Sequence, residues 1–174
     1  MMPLSQTRLL IRADGGPLVG TGHVMRMLAL GQAYRRRGGQ VTFVVGDLPR
    51  SLIRRLEQEK FQVFRIRNHQ GGSADAMDTR EIVALVQPHW VALDGYKYDE
   101  NYQRPFAKSE AKLMVMDDYQ HASHHHANLV VNQNVYSSPD DYAALPGTKV
   151  LAGPDFAMLR SEFYYFDETR KIVS

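Results

Sequence analysis

Cysteine is absent from the 174-residue chain, so neither a disulfide nor a thiolate metal site can contribute to its stability or chemistry. That absence is compatible with a reducing cytoplasm. An excess of one charge is lacking as well: 21 Lys and Arg stand against 19 Asp and Glu, for a formal net charge of +2. A dedicated nucleic-acid binder normally carries a strong basic stripe, so no nucleic-acid partner is expected. No apolar run approaches the roughly 20 residues of a membrane-spanning helix. The opening Met-Met-Pro-Leu-Ser-Gln-Thr-Arg lacks the apolar core of a signal peptide. The resulting expectation is a cytoplasmic protein with no membrane span. Two glycine motifs are also missing. No Gly-Lys-Ser/Thr follows the early glycines, which excludes a Walker loop, and Met25 stands where a dinucleotide fingerprint needs its third glycine.

What is present, 44% hydrophobic and 23% charged residues, suits one well-buried domain. Residues 9–14 form a short apolar run, broken by Arg12, that reads as a strand ending in a tight turn. Residues 22–37 carry a wide apolar face (Val24, Met25, Leu28, Ala29) and read as a helix stopped by Gly38-Gly39. Val41-Thr-Phe-Val-Val45 has the continuous apolar pattern of a strand buried on both faces. A helix is expected after Pro49, a strand over 61–66, and a helix over 75–86 with Ile82, Leu85 and Val86 inward. Further strands are expected over 90–93, 112–116, 129–131 and 149–152, with a helix over 98–109 despite Pro105. This alternation implies an α/β, Rossmann-like, mostly parallel sheet with helices on both faces.

Four of these strands end in polar clusters: Asp14-Gly-Gly, Asp94-Gly-Tyr, Asp117-Asp118 and Asn132-Gln-Asn134. Parallel sheets bind ligands outside the carboxyl ends of their strands, so these clusters are expected to converge on one crevice. Gly15, Gly16, Gly20, Thr21 and Gly22 belong to the loop before the first helix. Glycine lets a ligand approach the backbone, and a helix start offers unpaired N–H groups with partial positive charge. A tight turn without a ligand accounts for the same spacing. His23 falls in the first helical turn, where the dipole favours the neutral ring. Such a ring can take a proton from water, or it can cap or pack. Asp14 or Asp94 can orient His23, bind a sugar hydroxyl, or close Asx-turns. Tyr96 is a hydrogen-bonding group or plain wall. Arg26, one turn beyond His23, can meet a phosphate or a carboxylate, including one of this chain's own. Adjacent Asp117 and Asp118 point to opposite sides of a strand and chelate poorly. His121 and His124-His125-His126 lack a carboxylate partner and read as a solvated loop. No metal and no cofactor is expected. Residues 67–73 read as a mobile loop, and the arginines over 35–37 and 50–55 as solvated helix faces.

The ordered series Ile11-Arg-Ala-Asp-Gly-Gly, Gly20-Thr-Gly-His-Val-Met-Arg26, Trp90-Val-Ala-Leu-Asp-Gly-Tyr96, Met116-Asp-Asp118, Asn132-Gln-Asn134 and Gly153-Pro-Asp-Phe-Ala-Met-Leu-Arg-Ser-Glu-Phe163 resembles a known family. That family is the UDP-2,4-diacetamido-2,4,6-trideoxy-β-L-altropyranose hydrolases of pseudaminic-acid biosynthesis. The resemblance spans nearly the whole chain and implies one half of a glycosyltransferase-B-like architecture. It also implies a reaction in which water displaces UDP from a diacetamido-trideoxy sugar with inversion. It maps the general base to His23, the basic position of the same stretch to Arg26, and a sugar-facing tyrosine to Tyr96. Asp14, Gly15, Gly16, Gly20, Thr21, Gly22, Asp117, Asn132 and Asn134 are the further expected substrate-binding positions. Residues 1–163 are expected to be the base-bearing, sugar-binding domain. Residues 164–174 are expected to lead toward a second, nucleotide-binding domain that this chain lacks, so that alone it binds UDP weakly. A transferase of the same fold and a non-catalytic nucleotide-sugar-binding module are the alternatives.

Overall fold

The computed structural model describes residues 6–16, 19–68, 70–120, 122, 124–142 and 147–164. His69, within the expected mobile loop, His121, and the expected tail beyond residue 164 lie outside the described residues. The elements run β1 (Arg8–Ala13), α1 (Gly22–Arg36), β2 (Gln40–Val45), α2 (Arg50–Gln58), β3 (Gln62–Arg65), α3 (Ser73–Val86) and β4 (Trp90–Asp94). They continue α4 (Glu100–Ala107), β5 (Lys112–Met116), β6 (Leu129–Asn132), β7 (Lys149–Ala152) and α5 (Ser161–Tyr164). The strands form one seven-stranded sheet in the order β3-β2-β1-β4-β5-β6-β7, with every neighbouring pair parallel. The chain is thus a Rossmann-like α/β domain. Among the described residues no helix is long and apolar enough to cross a membrane.

Alternation along β1 divides the core. Leu9, Ile11 and Ala13 face one side, where α1 and α2 bring Val24, Met27, Leu28, Leu52, Ile53 and Leu56 against Phe43 and Val45. Leu10 faces the other, where Tyr98, Tyr102 and Phe106 from α4 and its approach pack with Val91, Leu93 and Leu113. Central strands covered on both faces need apolar side chains at nearly every position, which is why residues 41–45 and 112–116 read so plainly.

Three local expectations change. Helix α3 begins at Ser73, two residues early, which places Asp75 in its first turn and fully buried. Leu85 is 71% exposed: the packed stripe of α3 runs through Ala76, Val83 and Val86, with Ile82 beside it. Helix α4 starts at Glu100 because the Asp99 carboxylate accepts from the Tyr102 amide at 3.0 Å, a side-chain N-cap, and it carries Pro105 within its second turn. The 67–73 segment is also tied down at Gly71, whose amide donates to Asp75 at 2.8 Å.

On the α3–α4 side, Leu10's neighbour in the stripe is Arg12, and it is completely buried. Its guanidinium forks onto Asp75, with Nε–Oδ1 at 3.1 Å and Nη2–Oδ2 at 2.8 Å, and also donates to the Asp14 carboxylate. Asp75 additionally accepts from Thr79 at 3.1 Å and from the Tyr102 hydroxyl at 2.9 Å. Burial works against the Arg12 charge, but Tyr98, Asp75 and Asp14 more than offset it and raise its pKa. Replacing Asp75 by Ala leaves that guanidinium half-paired in the core. We expect Asp75→Ala to lower stability by roughly 3–5 kcal/mol, read as a fall in the urea midpoint.

The short α5 docks on the opposite side. Glu162 pairs with Arg55, its carboxylate accepts from Gln32, and the Ser161 amide donates to Gln32 Oε1 at 2.8 Å. Its own backbone N–H holds the Glu162 carboxyl down to about 2 against burial, with help from Arg55 and Gln32. A carboxyl depressed on folding stabilises the docked state above its ordinary value of 4.5 and loses that contribution as pH falls toward 2. Exchange protection of the Ser161 amide should therefore decline over that acid range, and Glu162→Gln should abolish the dependence.

Candidate functional site

β1, β4, β5 and β6 are consecutive in the sheet, so their polar ends line up along one edge. β1 and β4 flank the point where the strand order reverses, the usual binding crevice of such sheets. The ends do not share one hollow, however. Among the described residues, adjoining hollows lie along this edge.

The central one is a packed depression with no room for a water-sized molecule, lined by His23, Arg26, Asp94, Gly95, Tyr96, Met116 and Asp118. His23 sits in the first turn of α1 and is 5% exposed. Its Nδ1 is buried without a hydrogen-bond partner among the described residues. The ring stands edge-on to Tyr96, centroids 4.5 Å apart at 82°. Tyr96 in turn leans on Tyr119 at 5.5 Å, and both are exposed. The α1 start is open: Thr21 makes no side-chain cap and the first turn holds no acidic residue.

Arg26 is already engaged by this chain's own carboxylates. It holds Asp94 in a two-pronged grip, 2.6 Å at each oxygen, and reaches Asp118 Oδ1 at 2.7 Å. Burial lifts the Asp94 carboxyl above its ordinary value, and the Arg26 guanidinium pulls it back. Burial opposes the Arg26 charge too, but its hydrogen bonds to Asp94 and Asp118 raise its pKa overall. Of the partners open to Arg26 from sequence, a phosphate or a carboxylate, the structure shows the chain's own carboxylates, in a clamp that ties α1 to the ends of β4 and β5.

Asp14 is likewise consumed inside the fold. One oxygen accepts from Arg12 and the other from the Tyr98 hydroxyl. With Gly15 and Gly16 it forms the floor of a second hollow, beyond β1. The Gly16 and Gly20 amides each donate to the other's carbonyl at 2.9 Å, so the glycine loop spends these two donors on itself. Gly20 holds a φ of +72°, a left-handed conformation that suits glycine, while Thr21 and Gly22 are exposed at the helix start.

Two further expectations are corrected. Asp117 is completely buried and bonds inward, to the His125 ring at 2.8 Å and the Tyr119 amide at 3.3 Å. Strand alternation turns Asp118 toward the cleft in its place. His125, read as part of a solvated loop, is 2% exposed and also meets Gln103 Nε2 at 3.2 Å. Asn132 uses both amide atoms internally, donating to Tyr142 and accepting from the Asn134 amide, while Asn134 donates to the Asp118 carbonyl at 3.0 Å. Asn132 also borders the third hollow, with Asp118, Tyr119 and Tyr136. Asp94 and Asp118 are the cleft residues that motif reading undervalued; both were visible as strand ends, but their pairing with Arg26 was not. Among the described residues no group of three or more His, Asp and Glu is placed to hold a metal ion.

No protein-family model matches the chain. Two curated proteins are distantly similar. The UDP-2,4-diacetamido-2,4,6-trideoxy-β-L-altropyranose hydrolase of Campylobacter jejuni is 24% identical over 159 residues, 90% of this chain and 53% of that protein. An uncharacterised protein of Methanocaldococcus jannaschii is 24% identical over 160 residues, 90% of this chain and 32% of its own length. The chain thus spans about half or less of these relatives. Among solved structures, Anabaena HepE in complex with UDP-glucose aligns with TM-score 0.55 at 14% identity, covering 85% of this chain and 44% of that one. The complex of HepE with UDP and glucose gives 0.54 at 15% identity, with the same coverage. These likenesses show the fold.

The glycines of the loop differ in what holds them. A Cβ on Gly15 would sit 3.0 Å from Leu48 Cδ2 and 3.1 Å from the Gly20 carbonyl oxygen, whereas one on Gly22 would meet nothing within 4 Å. Gly15→Ala should cost about 1–3 kcal/mol by crowding. Gly22→Ala should leave the thermal midpoint unchanged or slightly higher, since alanine favours the helix by up to about 1 kcal/mol.

Proposed function

We propose that this chain is the base-bearing half of an enzyme that hydrolyses a UDP-linked diacetamido-trideoxy sugar at its anomeric carbon. The observation that carries the reading is His23. A buried imidazole with an unpartnered nitrogen lies at an open helix start, beside a carboxylate pair and an exposed tyrosine. A packing histidine would normally have that nitrogen satisfied. The similarity to the Campylobacter hydrolase, and the binding of UDP-glucose by HepE, support a nucleotide sugar as the ligand.

In the proposed reaction a ring nitrogen of His23 takes a proton from water as the water oxygen bonds to the anomeric carbon. The bond from that carbon to the phosphate oxygen breaks on the opposite face. UDP leaves with the electron pair, and the configuration inverts. Arg26 acts as a positioning residue by fixing the Asp94 carboxylate that lines the same depression as His23. The free amides at the start of α1, over Thr21 and Gly22, donate to an acetamido oxygen or a phosphate oxygen. Tyr96, backed by Tyr119, forms the wall against the sugar. Asp14, Gly15, Gly16, Gly20, Asp117, Asn132 and Asn134 shape the loops around this centre. No step requires a metal or a cofactor. The main grip on UDP comes from residues outside these 174, so the chain alone binds UDP weakly.

The test uses the full-length protein with UDP-2,4-diacetamido-2,4,6-trideoxy-β-L-altropyranose, following free sugar and UDP by proton NMR. His23→Ala should lower kcat by about 10²–10⁴ with KM changed little. Less than a tenfold loss removes His23 from the role of base. Sugar release only when a hydroxyl acceptor is supplied makes the enzyme a transferase of the same fold.

A further inference from the structure

The second hollow, about 1050 Å³, exceeds the other two described along this edge, and His23 takes no part in it. It lies over the ends of β1, β2 and β3, on the far side of β1 from the central cleft. Its volume stands at the upper end of the roughly 300–1,000 Å³ of small-molecule sites. Arg65 at the end of β3, Arg67 just beyond it, and Lys97 from the turn after β4 all line it. All three are exposed, and none has an ion-pair partner among the described residues.

The other charges offset these three only in part. Asp14 lies beneath the floor with its oxygens taken by Arg12 and the Tyr98 hydroxyl, and because Arg12 also answers Asp75, this buried group keeps one negative charge. Asp47 on the opposite wall is the remaining described carboxylate that faces the hollow. Gly46 and Gly16 leave the floor bare: a Cβ on Gly46 would meet Asp14 Oδ1 at 3.4 Å, and one on Gly16 would meet the Asp47 carbonyl at 3.3 Å. Unpaired cations converging on a concave, bare-backbone hollow suit a compact anion of multiple charge. A nucleic acid would need an extended stripe, and the net charge of +2 does not provide one.

We propose that this hollow is a binding site for a phosphate-bearing small molecule, held by Arg65, Arg67 and Lys97, separate from the His23 cleft. The guanidinium forks of Arg65 and Arg67 take the phosphate oxygens, and Lys97 adds a point charge from across the hollow. The phosphate belongs either to the nucleotide itself or to a second, phosphorylated ligand, and the chemistry that recognises it is the same.

Calorimetric titration of this 174-residue chain with inorganic pyrophosphate tests the site, with UDP and a hexose 1-phosphate as parallel arms. Pyrophosphate should bind in the millimolar range or tighter and weaken as salt rises. The double variant Arg65→Gln with Arg67→Gln should weaken binding at least tenfold, and Lys97→Gln several-fold. His23→Ala should leave pyrophosphate binding unchanged, which separates this site from the hydrolase reading. Circular dichroism establishes that each variant is folded. Displacement of pyrophosphate by UDP assigns the hollow to the nucleotide; displacement by the hexose phosphate alone assigns it to a second ligand. Absence of pyrophosphate binding at millimolar concentration overturns the proposal. So does binding that survives within twofold in the double variant.

Discussion

A guanidinium with no access to water organises this domain. Arg12 sits in the middle of the sheet, and a charge there persists only if every side of it is answered. Asp75 from α3, Asp14 from the end of β1, and the Tyr98 ring at 5.2 Å supply that answer, while Tyr102 and Thr79 complete Asp75. The consequence is positional. β1, α3 and the approach to α4 must meet at one register, because a one-residue slip in β1 would place Arg12 among Phe43 and Leu28 on the opposite face. The same slip would swing Asp14 off the ligand-binding edge.

A second polar knot, Arg26 with Asp94 and Asp118, performs the equivalent task on the other side of β1. Between the two knots the edge of the sheet is divided. One hollow faces the histidine and its carboxylates, the other faces unpaired cations, and the paired glycines Gly16 and Gly20 stand beside the divide. Both knots use arginines whose sequence context suggested ligand contact or a broken apolar run. Their partners lie 63 and 68 residues away along the chain.

That separation explains what was legible in the sequence. Buried parallel strands announce themselves through unbroken apolar runs, and residues 41–45 and 112–116 were readable on that basis alone. Strand ends were readable from the abrupt change to Asp, Asn and Gly. Which of two adjacent carboxylates faces the cleft was not, because Asp117 and Asp118 differ only in strand phase, and the phase is set by packing of β5 between β4 and β6. His125 was misread because its partners, Asp117 and Gln103, come from other elements and leave no local pattern. Leu85 was misread for the opposite reason. Its chemistry suited the core, but α3 presents a narrower apolar stripe than its composition suggests.

Helix α1 also has a mechanical character. His23 lies at its start and Gln32 nine residues later, about 14 Å along the axis. At the start the helix bears the unpartnered imidazole; at Gln32 it is grasped by α5 through Ser161 and Glu162. The intervening residues Val24, Met27, Leu28 and Ala29 are buried against the sheet, so the helix moves as a rod or not at all. A displacement applied at α5 would thus reach the imidazole as a sliding or tilting of the whole rod. Side-chain rotation would play little part, and the two ends of α1 would report on each other without any wire of hydrogen bonds between them.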